Sequence, residues 1–277
     1  MVEICKVELK DLYPVEGGVL HGLCMKNPTD IDSCNWKRPA VIVVPGGAYA
    51  CVSRREGMPI ASEFFAKGYQ TFVLEYLTCN DDVRYPEQLI ELGSAVDYVK
   101  KNADKFFVNP DEVFVIGFSA GGHLVGDLAV EHQDVSKKAG VELNCEPKAV
   151  GLCYPVISQK TAYKGSHENL LNGYTDEAKA ELLKTLNLDE AVSEKTPPAF
   201  IWTTKEDNVV PSENSLLFAL AMARNNRPYE LHVYPAGLHG LSTGSKEINS
   251  LQTETERIVG WIELCAKFFR SYCVEPF

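Results

Sequence analysis

The chain has 277 residues, 45% hydrophobic and 23% charged, with 20 glycines and 15 prolines. That balance excludes a disordered, collagen-like or low-complexity chain and is compatible with one large domain or two small ones. Asp and Glu number 38 against 27 Lys and Arg, a formal net charge of -11 with no dense basic cluster, so nucleic acid is not an expected partner.

The first residues, MVEICKVELKDLYPVEGG, alternate charged and apolar side chains and lack the basic-then-apolar order of a secretory signal. No stretch approaches the ~20 apolar residues of a membrane span. The nine cysteines form no CxxC pair and no Cys/His cluster at zinc spacing, which points to reduced, buried thiols, no metal and a cytoplasmic chain. Residues 2–9 and 19–25 read as strands, an antiparallel pair. The β-branched run AVIVV at 40–44 reads as a strand buried on both faces. A helix is expected over 59–67, a strand over 71–76, and a helix from Pro86 with Leu89, Leu92, Val96 and Val99 on one face. A strand at 113–118 leads into a helix at 120–131, and another strand follows at 149–154.

Residues 158–195 break this rhythm and are more polar, with a helix expected at 175–185. Strands at 199–203 and 229–234 flank a helix at 212–224, and a last helix spans 251–270 with Ile258, Trp261, Ile262, Cys265 and Phe269 on one stripe. The alternation predicts an α/β fold, a mostly parallel twisted sheet with helices on both faces. No linker divides residues 1–277, which read as one domain. The segment 158–195 reads as a small cap-like insertion over the carboxyl ends of the strands, where open sheets bind ligands.

Gly117-Phe118-Ser119-Ala120-Gly121 fits Gly-x-Ser-x-Gly, a weak pattern alone. Here it joins an apolar strand directly to a helix, and a turn that sharp exposes the serine hydroxyl at the sheet edge. A hydroxyl needs a base to become nucleophilic. His239, in PAGLHG after the strand at 229–234, can reach it, whereas His123 lies one helical turn beyond Ser119 and His232 lies within a strand. Asp207 follows the strand at 199–203 and is the candidate acid that orients the imidazole, with Glu206 as its neighbouring rival. The order Ser, Asp, His suits this architecture. For the oxyanion, Pro45-Gly46-Gly47 offers backbone N–H groups of Gly46 and Gly47 beside that of Ala120. Tyr49 and Tyr154 are candidates for a flat pocket wall, with core packing an equal reading. Arg54 and Arg55 are candidates for meeting polar or anionic groups, with Glu56 able to neutralise one of them.

PGGAY with SRREGMPIA, GFSAGGHL, PPAFIWTTKEDNVVP and YPAGLHGLS together resemble the α/β-hydrolase superfamily and, within it, the small esterases of the acetyl-xylan-esterase and feruloyl-esterase-like branch. The resemblance spans about residues 40–262. It implies Ser119 as nucleophile, His239 as base, Asp207 as acid and Gly46 and Gly47 in the oxyanion loop, with deacetylation of sugars or similar short-chain esters. Related hormone-sensitive-lipase-like enzymes carry histidine and a third glycine where this chain has Pro45 and Ala48. Some members carry the word xylanase, but cleavage of a glycosidic bond needs paired carboxylates flanking the linkage, for which the sequence offers no motif. The expected partner is a small-molecule ester, an acetylated oligosaccharide among the candidates, with no cofactor, no membrane, and self-association left open. A prolyl-oligopeptidase-like peptidase and a non-catalytic binding member of the same fold are the alternatives.

Overall fold

Long runs of β-branched and aromatic residues form strands buried on both faces, and the amphipathic stretches between them cover the resulting sheet. The computed structural model describes residues 1–30, 36–161, 163–249, 258 and 260–274. In the first half, β1 (Val2–Glu8), β2 (Val19–Met25) and β3 (Arg38–Val44) are followed by α1 (Met58–Ala66), β4 (Gln70–Glu75) and α2 (Glu87–Lys101). Then come α3 (Ala103–Phe106), β5 (Val108–Phe118), α4 (Ala120–Glu131) and α5 (Val135–Ala139). The second half holds β6 (Val150–Cys153), α6 (Gly165–Leu170), α7 (Asp176–Leu186), α8 (Leu188–Ala191), β7 (Ala199–Thr204), α9 (Glu213–Arg224), β8 (Tyr229–Tyr234) and α10 (Trp261–Arg270).

The strands form one eight-stranded sheet in the order β1-β2-β4-β3-β5-β6-β7-β8. β1 and β2 are antiparallel to each other, and β2 is antiparallel to β4. From β4 to β8 every pairing is parallel. The mostly parallel α/β architecture expected from the sequence is therefore present. Alternation along β3 divides the interior. Ile42 and Val44 face a core with Phe72, Leu92, Val96, Val115 and Leu124, while Val41 and Val43 face a second core with Phe64, Phe114, Trp202, Trp261 and Phe269. In the second core Phe114 stacks on Phe269 at 4.6 Å and Trp202 on Trp261 at 5.1 Å. Each such ring contributes roughly 2–3 kcal/mol by leaving water.

Two features depart from the expected outlines. β5 begins at Val108 rather than 113, because Val108 pairs with Arg38 ahead of an irregularity in the ladder. In α2 the expected apolar face is buried, but so are Gln88, Glu91, Ser94 and Asp97, because the helix is covered all round. The predicted last helix is described only as Trp261–Arg270, since 250–257 and 259 lie outside the described residues.

Register brings the loops together. Val43 pairs with Ile116 and Val44 with Gly117, so the turn after β3 lies beside the turn after β5. Thr204 pairs with Tyr234, so the loops leaving β7 and β8 emerge side by side. Between β6 and β7 the polar segment packs Leu170, Leu171, Leu186 and Leu188 into the first core, which anchors it to the sheet. None of the helices among the described residues is long and apolar enough to cross a membrane.

Candidate active site

β5 runs into α4 with no intervening loop, and Ser119 takes the strain of that corner at φ 54 and ψ -117. Such a conformation costs a β-carbon residue on the order of 1–3 kcal/mol and persists only when its surroundings impose it. Three backbone hydrogen bonds do so. The Ser119 N–H donates to Cys153 O at 3.0 Å, and its carbonyl accepts from His123 N and Val156 N, each at 3.1 Å. The flanking glycines are required by contact. A Cβ on Gly117 would lie 2.1 Å from Gly121 O, and one on Gly121 would lie 2.2 Å from Val44 O.

The Ser119 Oγ lies 2.8 Å from His239 Nε2, and His239 Nδ1 lies 2.7 Å from Asp207 Oδ2. A carboxylate can only accept, so Nδ1 carries the proton and Nε2 is left to accept from the serine hydroxyl. Asp207 Oδ1 accepts from the N–H groups of Val209 at 3.0 Å and Val210 at 2.8 Å, which fixes the carboxylate in the turn after β7. Glu206, the sequence rival, is exposed on the same turn. The three side chains singled out in the sequence thus meet, although they are 120 and 32 positions apart.

The loop after β3 is strained over consecutive residues, with φ of 128 at Gly47, 54 at Ala48 and 58 at Tyr49. Its carbonyls are held from outside. Asn169 Nδ2 donates to Ala48 O at 2.8 Å, Cys79 N to Tyr49 O at 2.9 Å and Asn80 Nδ2 to Ala50 O at 2.7 Å. The amides of Gly47 and Ala120 have no acceptor among the described residues. Gly46 differs from the expectation. Its N–H donates to Glu56 Oε2 at 2.8 Å, so it is already committed and is not the free donor the sequence suggested. Gly46 is instead required by close approach, since a Cβ there would lie 2.9 Å from Ser119 Cβ.

A cleft of about 360 Å³ opens over Ser119 and His239, lined also by Gly47, Ala48, Arg55 and Tyr163. Both tyrosines expected in its wall are buried beneath it instead. Tyr49 is 1% exposed, with its OH 2.9 Å from His123 Nδ1, and Tyr154 is 2% exposed, with its ring edge-on to His239 at 5.1 Å. Their φ values of 58 and 38 turn both side chains inward from strained loops. Tyr163 is the tyrosine that reaches the cleft, and Arg55 lines it where Arg54 does not. Cys51, which the sequence grouped with buried thiols, is exposed at the rim, and Cys34 lies outside the described residues.

Glu56 does not neutralise either arginine. It is 3% exposed, and besides Gly46 N it accepts from the Tyr154 OH at 2.7 Å. That phenol in turn accepts from Ser242 N at 2.9 Å. One carboxylate therefore ties the loop after β3 to the tyrosine packed on His239 and to the loop beyond it. Nothing in the sequence set Glu56 apart from its charged neighbours, because the groups that hold it, Gly46 N and the Tyr154 OH, lie 10 and 98 positions away. His123 packs beneath the elbow, its Nε2 3.1 Å from Leu186 O, and His167 approaches the same carbonyl at 3.2 Å. Burial pushes His123 down to about 3 and His167 down to about 4, so both are neutral supports. His232 is 2.6 Å from Glu230 on β8, away from the cleft. No group of three or more metal-ligating side chains occurs among the described residues.

The family model described as BD-FAE matches residues 32–222. The chain is 37% identical over 223 residues to an endo-1,4-beta-xylanase B of Butyrivibrio fibrisolvens, covering 77% of this chain and 34% of that protein. It is 32% identical over 213 residues to an acetylxylan esterase of Xylanibacter ruminicola, covering 74% and 42%. The match therefore covers less than half the length of each of these curated relatives. Among solved structures it is similar to an acetyl ester-xyloside bifunctional hydrolase from Caldicellulosiruptor lactoaceticus, at 32% identity and a TM-score of 0.79 over 96% of both chains. The carboxylesterase Cest-2923 from Lactobacillus plantarum shares the fold, with a TM-score of 0.84 at 23% identity over all of both chains.

Proposed function

The chain belongs to the BD-FAE family of α/β-hydrolases, and from that premise we propose that it is a serine esterase releasing short acyl groups, acetyl first, from sugars or similar small alcohols. The observation that carries the reading is the unbroken contact from Asp207 through His239 to Ser119 at the floor of an open cleft. Ser119 attacks the acyl carbon as His239 Nε2 takes its proton, and Asp207 stabilises the resulting imidazolium. The N–H groups of Gly47 and Ala120 receive the developing oxyanion, where loss of one donor typically costs about 3 kcal/mol. His239 then returns the proton to the departing alcohol, and water repeats the sequence on the acyl-enzyme. The 2.9 Å Tyr49–His123 contact and the Glu56–Tyr154 pair support this constellation from below.

The xyloside activity named for the bifunctional relative gives a second reading, to which the cleft lends little support. Glycoside hydrolysis needs two available carboxyl groups flanking the bond. Here Glu56 is fully engaged by Gly46 and Tyr154, and Asp207 by His239, Val209 and Val210. The decisive experiment sets acetyl, butyryl and octanoyl nitrophenyl esters beside acetylated xylo-oligosaccharides, a nitrophenyl xyloside and a peptide amide. Acetyl esters are expected to turn over fastest, with Ser119 labelled by a fluorophosphonate and Ser119→Ala inactive. A preference for octanoyl esters would move the reading to a lipase, and amide cleavage without ester turnover to a peptidase. An unlabelled serine would leave only a binding protein.

A further inference from the structure

Among the described residues lining the cleft, two carry Arg or Glu charges, Arg55 and Glu56. Glu56 is buried with both oxygens engaged. Arg55 is exposed, and among the described residues no carboxylate oxygen lies within 4.0 Å of its guanidinium. The chain around it is strongly acidic, with a net charge of -11. Among the described residues the cleft thus presents a guanidinium with no carboxylate held against it, a donor set suited to a negative ligand group at short range.

The position of that cation says which part of the substrate it meets. Arg55 Nη2 stands 3.1 Å from where a Cβ on Gly240 would lie, directly beside His239. Ser242 Oγ donates to the Arg55 carbonyl, so the main chain is held against the histidine loop. The departing oxygen must lie within hydrogen-bond reach of His239 Nε2. A group next to Gly240, beside His239, is therefore on the side of the departing alcohol, while the N–H groups of Gly47 and Ala120 face the carbonyl oxygen. We infer that the alcohol portion of the substrate carries a carboxylate, as in an acylated oligosaccharide bearing a uronic acid, and that Arg55 binds it through its planar fork of donors. This inference rests on the esterase reading. Gly240 has φ 77, so a side chain there would be strained as well as pressed against the guanidinium, which keeps this space open for the ligand.

The test compares kcat/KM of the full chain on acetylated xylo-oligosaccharides of matched length with and without a glucuronic acid substituent. At low ionic strength the acidic substrate is expected to be favoured about five- to tenfold, the scale of one exposed charge-assisted contact. The preference should shrink in about 0.5 M salt, where the screening length is only a few ångströms. Arg55→Gln should bring the ratio close to one, while Arg55→Lys retains part of it. Arg54→Gln, on the exposed neighbour outside the cleft, should keep the wild-type ratio. Using a ratio removes any general loss of activity from the comparison. A wild-type ratio of one, or a ratio unchanged by Arg55→Gln, overturns the inference while leaving the esterase intact. Hydrolysis of neither oligosaccharide by the wild type overturns this inference, and if nitrophenyl acetate is left intact as well the esterase reading falls with it.

Discussion

Glu56 is 3% exposed, with no cation within 4.0 Å among the described residues, and is held by two hydrogen bonds, from Gly46 N and from the Tyr154 OH. Gly46 N can only donate, and the phenol directs its one proton at Glu56 while its oxygen accepts from Ser242 N. Glu56→Gln offers one acceptor oxygen and one NH₂, so one of the two donors is left facing another donor. An unsatisfied buried donor costs about 1–3 kcal/mol. We predict that Glu56→Gln lowers kcat on nitrophenyl acetate about tenfold or more with a smaller change in KM, because the oxyanion loop and His239 move before substrate binding is lost. An unchanged kcat would remove Glu56 from the positioning machinery. For Asp207→Asn, whose amide can hold the wrong imidazole tautomer, the loss should approach about 10⁴ in kcat, as in other triads. Retention of the native fold by circular dichroism would separate that loss from unfolding.

At the scale of elements, the site depends on three chain segments meeting without side chains between them. α4 starts where β3 ends, and Gly121 lies so close that a Cβ would be 2.2 Å from Val44 O and 2.3 Å from Pro45 O. Backbone atoms cannot yield as a flexible side chain can. Gly121→Ala should therefore destabilise the protein by at least ~2 kcal/mol, seen as a drop in thermal midpoint, with ester turnover lost alongside it. A stable, active Gly121→Ala variant would show that the end of β3 can move away from α4. The same scale explains α2. Its apolar periodicity identified the helix, but periodicity reports one face only, and the burial of Glu91 on another face needed the loop at Leu77, whose N–H donates to Glu91 Oε2 at 2.9 Å.

Across the whole molecule, burial without charge compensation sets a dependence on pH. Desolvation pushes Glu91 from its usual 4.5 up to about 8. Between those values the folded chain keeps a proton that the unfolded chain releases, so this residue costs stability as pH rises through that window. Glu91→Gln should gain stability relative to wild type as pH rises from about 5 to 8, measured from urea unfolding midpoints at each pH. A constant difference would mean that Glu91 ionises freely. His123 and His167 act in the opposite direction. Their usual 6.5 falls to about 3 and about 4 in the folded chain, so below 6.5 the unfolded chain takes up protons that the folded chain refuses, and stability drops with falling pH.

The sheet, the elbow and the three side chains that meet over it were legible in the amino-acid order alone. Strand periodicity, Gly-x-Ser-x-Gly at a strand-to-helix junction and single polar residues at strand ends are local signals, written within a few neighbouring positions each. The support beneath them came from folding: Glu56 engaged the Gly46 N–H, Tyr49 and Tyr154 turned inward, and Arg55 rather than Arg54 lined the cleft. Those outcomes depend on backbone conformations at positive φ and on hydrogen bonds between residues 98 positions apart for Glu56 and Tyr154 and 121 for Asn169 and Ala48. No local pattern encodes which way a side chain points when the partner that fixes it arrives from another part of the chain.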